Sequence, residues 1–248
     1  MNAFRLAIFD LDGTLYRGDE ALPYALEVLR ELHRRGVIVR YVTNNSSKTV
    51  AQTAEKLLGM GFRVENGDVM TSALATARAL AAAGHQTAWT VGEAGLNATL
   101  EAAGITITKD SPDALVVGIC RSFTYEVLDE AMQVGLGGAS FYATNRDATY
   151  PYEKGRFGPG AGTMVAALET ALGRSPVTIG KPEPTMILDL IDGAGVLPTE
   201  TIVVGDRLDT DIEAGLRAGT QVHLVLTGVA TEAPAGVPSS PDLRALIQ

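Results

Sequence analysis

Short, mostly apolar runs alternate along this chain with longer stretches in which apolar residues recur every three or four positions. Short apolar runs are typical of buried strands, and the longer spacing is typical of amphipathic helices. The predicted strands are Leu6–Asp10, Val37–Val42, Thr87–Val91, Ala114–Ile119, Ser140–Ala143, Val177–Ile179, Ile202–Val204 and Val222–Leu226. Because strands and helices alternate, the pattern predicts an α/β fold in which helices pack on the faces of a parallel sheet.

The first helical stretch begins at Pro23 and ends at Gly36, and its apolar residues Leu26, Leu29 and Leu32 fall on one face. The other predicted helices are 49–58, 72–84, Leu96–Ala103, Tyr125–Val134, Met164–Leu172, Met186–Ile191 and Ile212–Ala218. These stretches supply the helical layers that a parallel sheet requires.

The middle third of the chain differs from the rest. It contains strands and helices of the same kind, but no acidic residue stands at a strand end there in the manner of Asp10. The last third returns to the earlier arrangement, in which polar residues directly follow the strands. The pattern therefore predicts that the middle third is a separate unit.

Composition and charge exclude several classes of protein. The chain has 248 residues, 46% of them hydrophobic, which is enough to bury one large core or two modest ones and excludes a disordered or fibrous protein. Its 20 Lys and Arg against 29 Asp and Glu give a net charge of −9, which repels nucleic acids and anionic membranes. The one cysteine, Cys120, excludes an intramolecular disulfide and is predicted to be a buried core thiol.

The sequence shows no signal for a membrane or for export. The first residues lack a basic stretch followed by a long apolar one, and no window reaches the ~18 apolar residues of a membrane span. We therefore expect a cytoplasmic protein whose partner is neither a nucleic acid polymer nor a membrane.

Polar residues follow four of the predicted strands. They are Asp10 and Asp12, then Thr43 to Asn45, then Lys181, and then Asp206 with Asp209 and Asp211. The carboxyl ends of parallel strands are where α/β proteins bind ligands, so these side chains are expected to converge. Carboxylates gathered in one crevice repel one another unless a cation lies between them, and all-oxygen ligation favours Mg²⁺.

A magnesium ion held by Asp10 and Asp206 beside Lys181 would form an electropositive pocket suited to phosphate. Asp10 could then attack phosphorus and form an aspartyl-phosphate. Asp12 could protonate the leaving group and afterwards activate the hydrolytic water.

Each motif alone also has an ordinary structural interpretation. The segment 10–14 could be a strand exit, Lys181 a solvated charge in a turn, and 43–47 a helix cap. Asp209 and Asp211 could be acidic residues of a first helical turn, where the helix dipole favours them. All four motifs at strand ends, in this order, favour a catalytic site.

The chain resembles the haloacid dehalogenase superfamily of phosphotransferases, and within it subfamily IIA, the NagD-like and nitrophenyl phosphatase branch. The matching motifs are DLDGTL at 10–15, TNNS at 43–46, GKPEP at 180–184 and GDRLDTDI at 205–212. The resemblance implies a Rossmann-like core with a parallel sheet and helices on both faces, formed by residues 1–75 and 175–248. It also implies an inserted α/β cap domain at 76–174, which closes over the site and chooses the leaving group.

The resemblance implies a role for each carboxylate. Asp10 is then the nucleophile and a metal ligand, and Asp12 is the acid/base whose backbone carbonyl also meets Mg²⁺. Asp206 completes the metal ligands from the protein. Asp211 lies behind them, where it fixes Lys181 or a water at the metal.

The resemblance also implies how phosphate is bound. Thr43 with Asn44, Asn45 and the neighbouring amides would hold the transferring phosphoryl group, and Lys181 would neutralise it and orient the nucleophile. In the cap, Tyr150 is a candidate substrate-contacting residue, because an aromatic ring there could stack on the leaving group. The alternative is that Tyr150 only packs beside Pro151.

These expectations describe a magnesium-dependent phosphatase that hydrolyses a small phosphomonoester: a nucleotide, a sugar or polyol phosphate, phosphoglycolate or an aryl phosphate. The partner is then a small phosphorylated metabolite, and, since relatives of this kind often dimerise through the cap, a second copy of the chain is also a candidate partner. Two alternatives stay open: a phospho-acceptor module that accumulates long-lived phosphoaspartate, and a non-catalytic module that binds a phosphometabolite or a partner protein.

Overall fold

The computed structural model describes residues 4–65, 67–151 and 157–248. The chain divides into two compact units. The first unit consists of Met1–Thr43, Thr53–Met70 and Lys181–Gln248, and the second of Asn44–Gln52 and Thr71–Gly180.

Fifteen strands lie in the described ranges, many of them only two or three residues long. In chain order they are β1 (Leu6–Asp10), β2 (Tyr16–Arg17), β3 (Glu20–Ala21), β4 (Ile38–Thr43), β5 (Val69–Thr71), β6 (Thr87–Val91), β7 (Thr106–Ile107), β8 (Ala114–Val117), β9 (Ser140–Ala143), β10 (Thr149–Pro151), β11 (Phe157–Pro159), β12 (Val177–Thr178), β13 (Thr201–Gly205), β14 (Gln221–Val225) and β15 (Ser239–Ser240).

Eight α-helices lie between the strands in the same ranges. They are α1 (Ala25–Arg34), α2 (Val50–Gly59), α3 (Ser72–Ala82), α4 (Ala94–Ala102), α5 (Tyr125–Leu136), α6 (Ala161–Leu172), α7 (Thr185–Ala194) and α8 (Glu213–Arg217). Among the described residues, no helix combines the length and the apolar character that crossing a bilayer requires.

A six-stranded sheet forms the centre of the first unit, in the order β15-β14-β13-β1-β4-β5. Strand β1 pairs in parallel with β13 on one side and with β4 on the other. All five of its residues are buried, as expected of an apolar strand in the middle of a covered sheet. Helix α1 buries Val28, Leu29 and Leu32 on one face.

A second parallel sheet forms the centre of the second unit, in the order β12-β9-β8-β6-β7. Leu115 and Phe141 on its strands pack with Val165 and Leu168 of α6 in one hydrophobic cluster. Cys120 is buried in the same cluster, as predicted. The two parallel sheets with their helices confirm the α/β fold class.

The predicted strand Val177–Ile179 does not belong to the first sheet, where the sequence pattern had put it. Its first two residues form β12, which pairs in parallel with Tyr142 and Ala143 of β9 in the second sheet. The pairing continues because the Ile179 amide donates to Ala143 O at 3.0 Å. A short apolar run shows that a strand forms, but it contains no information about which of two parallel sheets the strand will join.

The predicted helix Ile212–Ala218 also differs at its start. A π-helical turn, Leu208–Ile212, precedes α8. Turns of this kind are frequent at functional sites, and this one carries Asp211.

Candidate active site

Strand β1 ends at Asp10, and the chain turns sharply directly after it. Asp10 is 8% exposed. Gly13 has φ +88°, a conformation that residues with a Cβ rarely adopt, and its amide donates to Tyr16 O at 2.8 Å. The turn keeps Asp10 and Asp12 at the carboxyl end of the sheet.

The second carboxylate of the site, Asp206, directly follows the neighbouring strand β13. Phe9 of β1 is in register with Val204 of β13. Asp10 is the last residue of β1, and Asp206 directly follows the last residue of β13. Asp206 is 2% exposed, and its Oδ2 accepts a 2.7 Å hydrogen bond from the Val229 amide. The parallel register therefore brings two buried carboxylates to one edge.

The π-helical turn after β13 places Asp211 against the end of that strand. A Cβ on Gly205 would lie only 2.2 Å from the Asp211 Cβ, so this approach requires glycine at 205. Asp211 Oδ2 accepts a hydrogen bond from the Arg207 amide at 3.1 Å. Asp209, two residues earlier, is exposed and pairs with the Arg207 guanidinium at 3.0 Å, so it does not take part in the cluster.

Lys181 connects these carboxylates. Its ammonium nitrogen donates to Asp10 Oδ1 at 2.5 Å and to Asp211 Oδ1 at 2.6 Å, and its side chain is 2% exposed. Although burial lowers it, the charges of the two carboxylates raise the pKa of Lys181 above its ordinary value. The two carboxylates therefore favour the charged form of Lys181.

One lysine does not balance the charge of this cluster. Asp10, Asp206 and Asp211 each offer an oxygen, and these three atoms all lie within 4.8 Å of one another. Burial, and then the charge of Asp211, raise the pKa of Asp10 well above its ordinary range. The same two causes raise the pKa of Asp206 to about 7. Three carboxylates with one lysine leave an excess of negative charge. Hard oxygen donors in such a cluster fit a divalent cation such as Mg²⁺.

Asp12 has a different environment. It is only partly buried, and its Oδ2 accepts a hydrogen bond from the Tyr16 hydroxyl at 3.2 Å. Tyr16 is 4% exposed, and the Lys56 ammonium lies 4.2 Å from the centre of its ring. Burial and the Asp12 charge raise the pKa of Tyr16, so it stays a hydrogen-bond donor. Tyr16 has no functional signal in the sequence, because an aromatic residue four positions after Asp12 is typical of a buried core.

The residues predicted to bind phosphate fall in both units. Thr43 ends β4 in the first unit and is 4% exposed. Asn44 and Asn45 belong to the second unit. There the Asn44 amide donates to Asp147 Oδ1 at 3.1 Å, and Asn45 Oδ1 accepts from the Ser47 amide at 2.9 Å.

The candidate cap residue, Tyr150, lies on β10 of the second unit. The Arg121 guanidinium donates to its hydroxyl at 3.3 Å and lies 5.5 Å from the centre of its ring. The backbone amide of Arg121 donates in turn to Glu93 Oε1 at 2.8 Å. Arg121 and Glu93 have no distinctive signal in the sequence, since each is a single charged residue outside the recognised motifs.

Two family models together match most of the chain. The family model described as haloacid dehalogenase-like hydrolase matches residues 7–106, and a second one, described as HAD-hydrolase-like, matches residues 178–245. The 5′-nucleotidase YutF of Bacillus subtilis strain 168 is 38% identical over 230 residues, which is 92% of this chain and 90% of that protein. An acid sugar phosphatase of Staphylococcus aureus strain MRSA252 is 37% identical over 93% of this chain and 90% of its own.

Solved structures agree with the sequence relatives. The p-nitrophenyl phosphatase from Archaeoglobus fulgidus has a TM-score of 0.91 at 30% identity over 98% of both chains. NagD from E. coli K-12 has a TM-score of 0.87 at 33% identity over 97% of both. A glycerol phosphate phosphatase from Mycobacterium tuberculosis, in complex with magnesium, has a TM-score of 0.88 at 35% identity over 99% of this chain and 77% of that one.

Proposed function

Since this chain belongs to the haloacid dehalogenase-like hydrolases and is a phosphoric monoester hydrolase of the NagD-like type, we propose that it hydrolyses small phosphomonoesters with Mg²⁺ through an aspartyl-phosphate on Asp10. The observation that supports this proposal most strongly is the buried cluster at the end of β1. There Asp10, Asp206 and Asp211 offer oxygens within 4.8 Å of one another, and Lys181 is bonded to the first and the last of them.

In the first step, an oxygen of the Asp10 carboxylate forms a bond to phosphorus and the ester P–O bond breaks. The leaving oxygen takes a proton from the Asp12 carboxyl group and departs as an alcohol. Lys181 keeps Asp10 oriented and adds positive charge beside the transferring oxygens. The product of this step is an alcohol and a phosphorylated Asp10.

In the second step, the ionised Asp12 takes a proton from a water molecule, whose oxygen forms a bond to phosphorus. The bond between phosphorus and Asp10 then breaks, and inorganic phosphate leaves with the carboxylate restored. Tyr16 supports both steps, because its hydrogen bond to Asp12 Oδ2 restrains the group that carries the proton.

The proposal includes three metal ligands from the protein. Carboxylate oxygens of Asp10 and Asp206 and the backbone carbonyl of Asp12 would hold Mg²⁺. When bound, Mg²⁺ supplies positive charge that neutralises phosphoryl oxygens and the clustered carboxylates. Asp211 stays on Lys181 and fixes its position.

The remaining assignments concern substrate binding. Thr43, Asn44 and Asn45 would donate to the phosphoryl oxygens, and Tyr150 would contact the leaving group. We propose that the inserted cap, residues 76–174, determines which esters are hydrolysed. The names of the relatives support small phosphomonoesters of the nucleotide, sugar phosphate, aryl phosphate and polyol phosphate classes as substrates.

The proposal is tested by measuring phosphate release from a panel of these esters, with Mg²⁺ and with EDTA, for the wild-type protein and for Asp10→Asn and Asp206→Asn. We expect release that needs Mg²⁺ and that falls at least ~1,000-fold in Asp10→Asn, because the nucleophile is gone. Equal turnover in EDTA would contradict the metal requirement. Near-normal turnover of Asp10→Asn would contradict the covalent mechanism.

A further inference from the structure

The segment 227–230, which follows β14, contacts Asp206 at both its side chain and its backbone. The Val229 amide donates to Asp206 Oδ2 at 2.7 Å, and the Ala230 amide donates to Asp206 O at 3.0 Å. One short loop therefore fixes the position of this buried carboxylate.

Two glycines enclose the same carboxylate. A Cβ on Gly228 would lie 1.9 Å from Asp206 Oδ2, and a Cβ on Gly13 would lie 2.6 Å from it. A Cβ on Gly228 would also lie 2.8 Å from the Asp206 Cβ, so rotating the carboxylate would not relieve that contact. The two backbones therefore hold the Oδ2 side of Asp206 between them.

Thr227 ties this loop to the turn that carries Asp12. Its hydroxyl donates to Gly13 O at 2.7 Å, and its own carbonyl accepts from the Arg17 guanidinium at 2.6 Å. Gly13 directly follows Asp12 in the chain, so the Thr227 hydroxyl joins the segment that holds Asp206 to the turn that carries Asp10 and Asp12.

We propose that Thr227, Gly228 and Val229 are positioning residues for metal binding: they hold Oδ2 of Asp206 so that Oδ1 is the oxygen presented to Mg²⁺, at a distance from the Asp12 loop that Thr227 sets. This inference rests on the proposed function. Groups that orient a metal ligand typically change metal affinity by about 10- to 100-fold when they are removed. The segment has no reactive side chain, so its effect is on metal affinity rather than on the chemical steps.

The test measures Mg²⁺ binding to the substrate-free protein by isothermal titration calorimetry, together with the Mg²⁺ dependence of phosphate release. Gly228→Ala introduces the clashing Cβ, Thr227→Val removes the hydroxyl, and Thr227→Ser restores it. Gly193→Ala is the matched glycine control, since nothing lies within 4 Å of a Cβ at that position. Thermal unfolding in EDTA shows whether each variant is folded.

We expect Mg²⁺ affinity to fall at least ~10-fold in Gly228→Ala and ~3- to 10-fold in Thr227→Val, while Thr227→Ser and Gly193→Ala stay within twofold of the wild type. KM for the ester at saturating Mg²⁺ should be unchanged. If Gly228→Ala does not fold, the comparison of Thr227→Val with Thr227→Ser tests the inference by itself. Affinity within twofold of the wild type in folded Thr227→Val, or the same loss in Thr227→Ser, would overturn the inference.

The two proposals fail in different ways. A wild-type protein that binds Mg²⁺ but releases no phosphate would overturn the proposed function and leave the calorimetric comparison as the test of the positioning role. A wild-type protein that binds no Mg²⁺ would overturn both.

Discussion

Asp211 holds Lys181 through a 2.6 Å hydrogen bond between Oδ1 and Nζ, and both side chains are at most 2% exposed. The same ammonium group lies 2.5 Å from Asp10 Oδ1. A buried cation shared by two carboxylates has a fixed position before any substrate arrives. Preorganised charge of this kind accounts for much of the rate enhancement in many enzymes.

The Asp211→Asn variant tests this positioning role. Asparagine keeps the volume but not the charge, so Lys181 loses one of the two carboxylates to which it donates. We expect kcat to fall ~10-fold, and to fall at least ~100-fold in Lys181→Met, which removes the cation altogether. Steady-state kinetics at saturating Mg²⁺ and substrate measure both.

Asp209→Asn is the matched control for Asp211→Asn. Asp209 is exposed and pairs with Arg207, outside the buried cluster, so kcat should stay within twofold of the wild type. Equal kcat values for the Asp209 and Asp211 variants would contradict the role of Asp211.

Tyr16→Phe removes the hydroxyl that donates to Asp12 Oδ2. Because Asp12 then loses a partner that restrains the proton-carrying group, kcat should fall ~3- to 10-fold with little change in KM. Tyr125→Phe, on a side chain that is 80% exposed, is the control. A Tyr16→Phe enzyme with the turnover of the control would show that this contact has no part in proton transfer.

Thr14 lies in the same turn, and we expect its substitution to change only the stability of the fold. It is fully buried, and its hydroxyl has no hydrogen-bond partner among the described residues. Replacing an unpaired buried hydroxyl by a methyl group of similar size removes a desolvation cost, so Thr14→Val should leave the free energy of unfolding unchanged or raise it by about 1 kcal/mol. Urea unfolding measures this. A decrease of more than about 1 kcal/mol would mean that the hydroxyl is bonded in solution.

His223 makes stability depend on pH in one direction. Its Nε2 lies 2.7 Å from Ser240 Oγ, and its Nδ1 is buried with no partner among the described residues. Burial lowers the pKa of His223 below its ordinary value of 6.5. As the pH falls through that value, the unfolded chain takes up a proton before the folded one does, so the folded state loses stability.

His223→Gln removes this titration but keeps an amide that can donate to Ser240 Oγ. The loss of Tm on going from about pH 7.5 to about pH 5.5 should therefore be smaller in the variant than in the wild type. Differential scanning fluorimetry across this range gives both curves. Curves that run parallel would show that His223 does not contribute.

The sequence predicts well those features that depend on local periodicity. Strands β1, β6 and β9 have the predicted bounds, because each is a short apolar run bordered by turn residues. The convergence of Asp10 and Asp206 follows from the rule that parallel strands present their carboxyl ends at one edge. Lys181 follows β12, a strand of the second sheet, so this rule does not explain why it lies beside Asp10.

Other features depend on tertiary structure and have no local signature. The amide of Val229 could come from almost any residue, so its bond to Asp206 is invisible in a sequence pattern. The hydroxyl bridge from Thr227 to Gly13 joins residues far apart in the chain. The sheet that β12 joins is likewise decided by tertiary packing, which a two-residue strand does not encode.

The proposed mechanism passes the phosphoryl group through Asp10. It is tested most directly by mixing the wild-type enzyme with Mg²⁺ and a good substrate, quenching with acid during turnover, and searching by peptide mass spectrometry for the phosphoryl group. We expect a phosphoryl group on the Asp10 side chain that appears and decays within the reaction, and none in Asp10→Asn. Full turnover with no phosphoryl group at residue 10 at any time would contradict it.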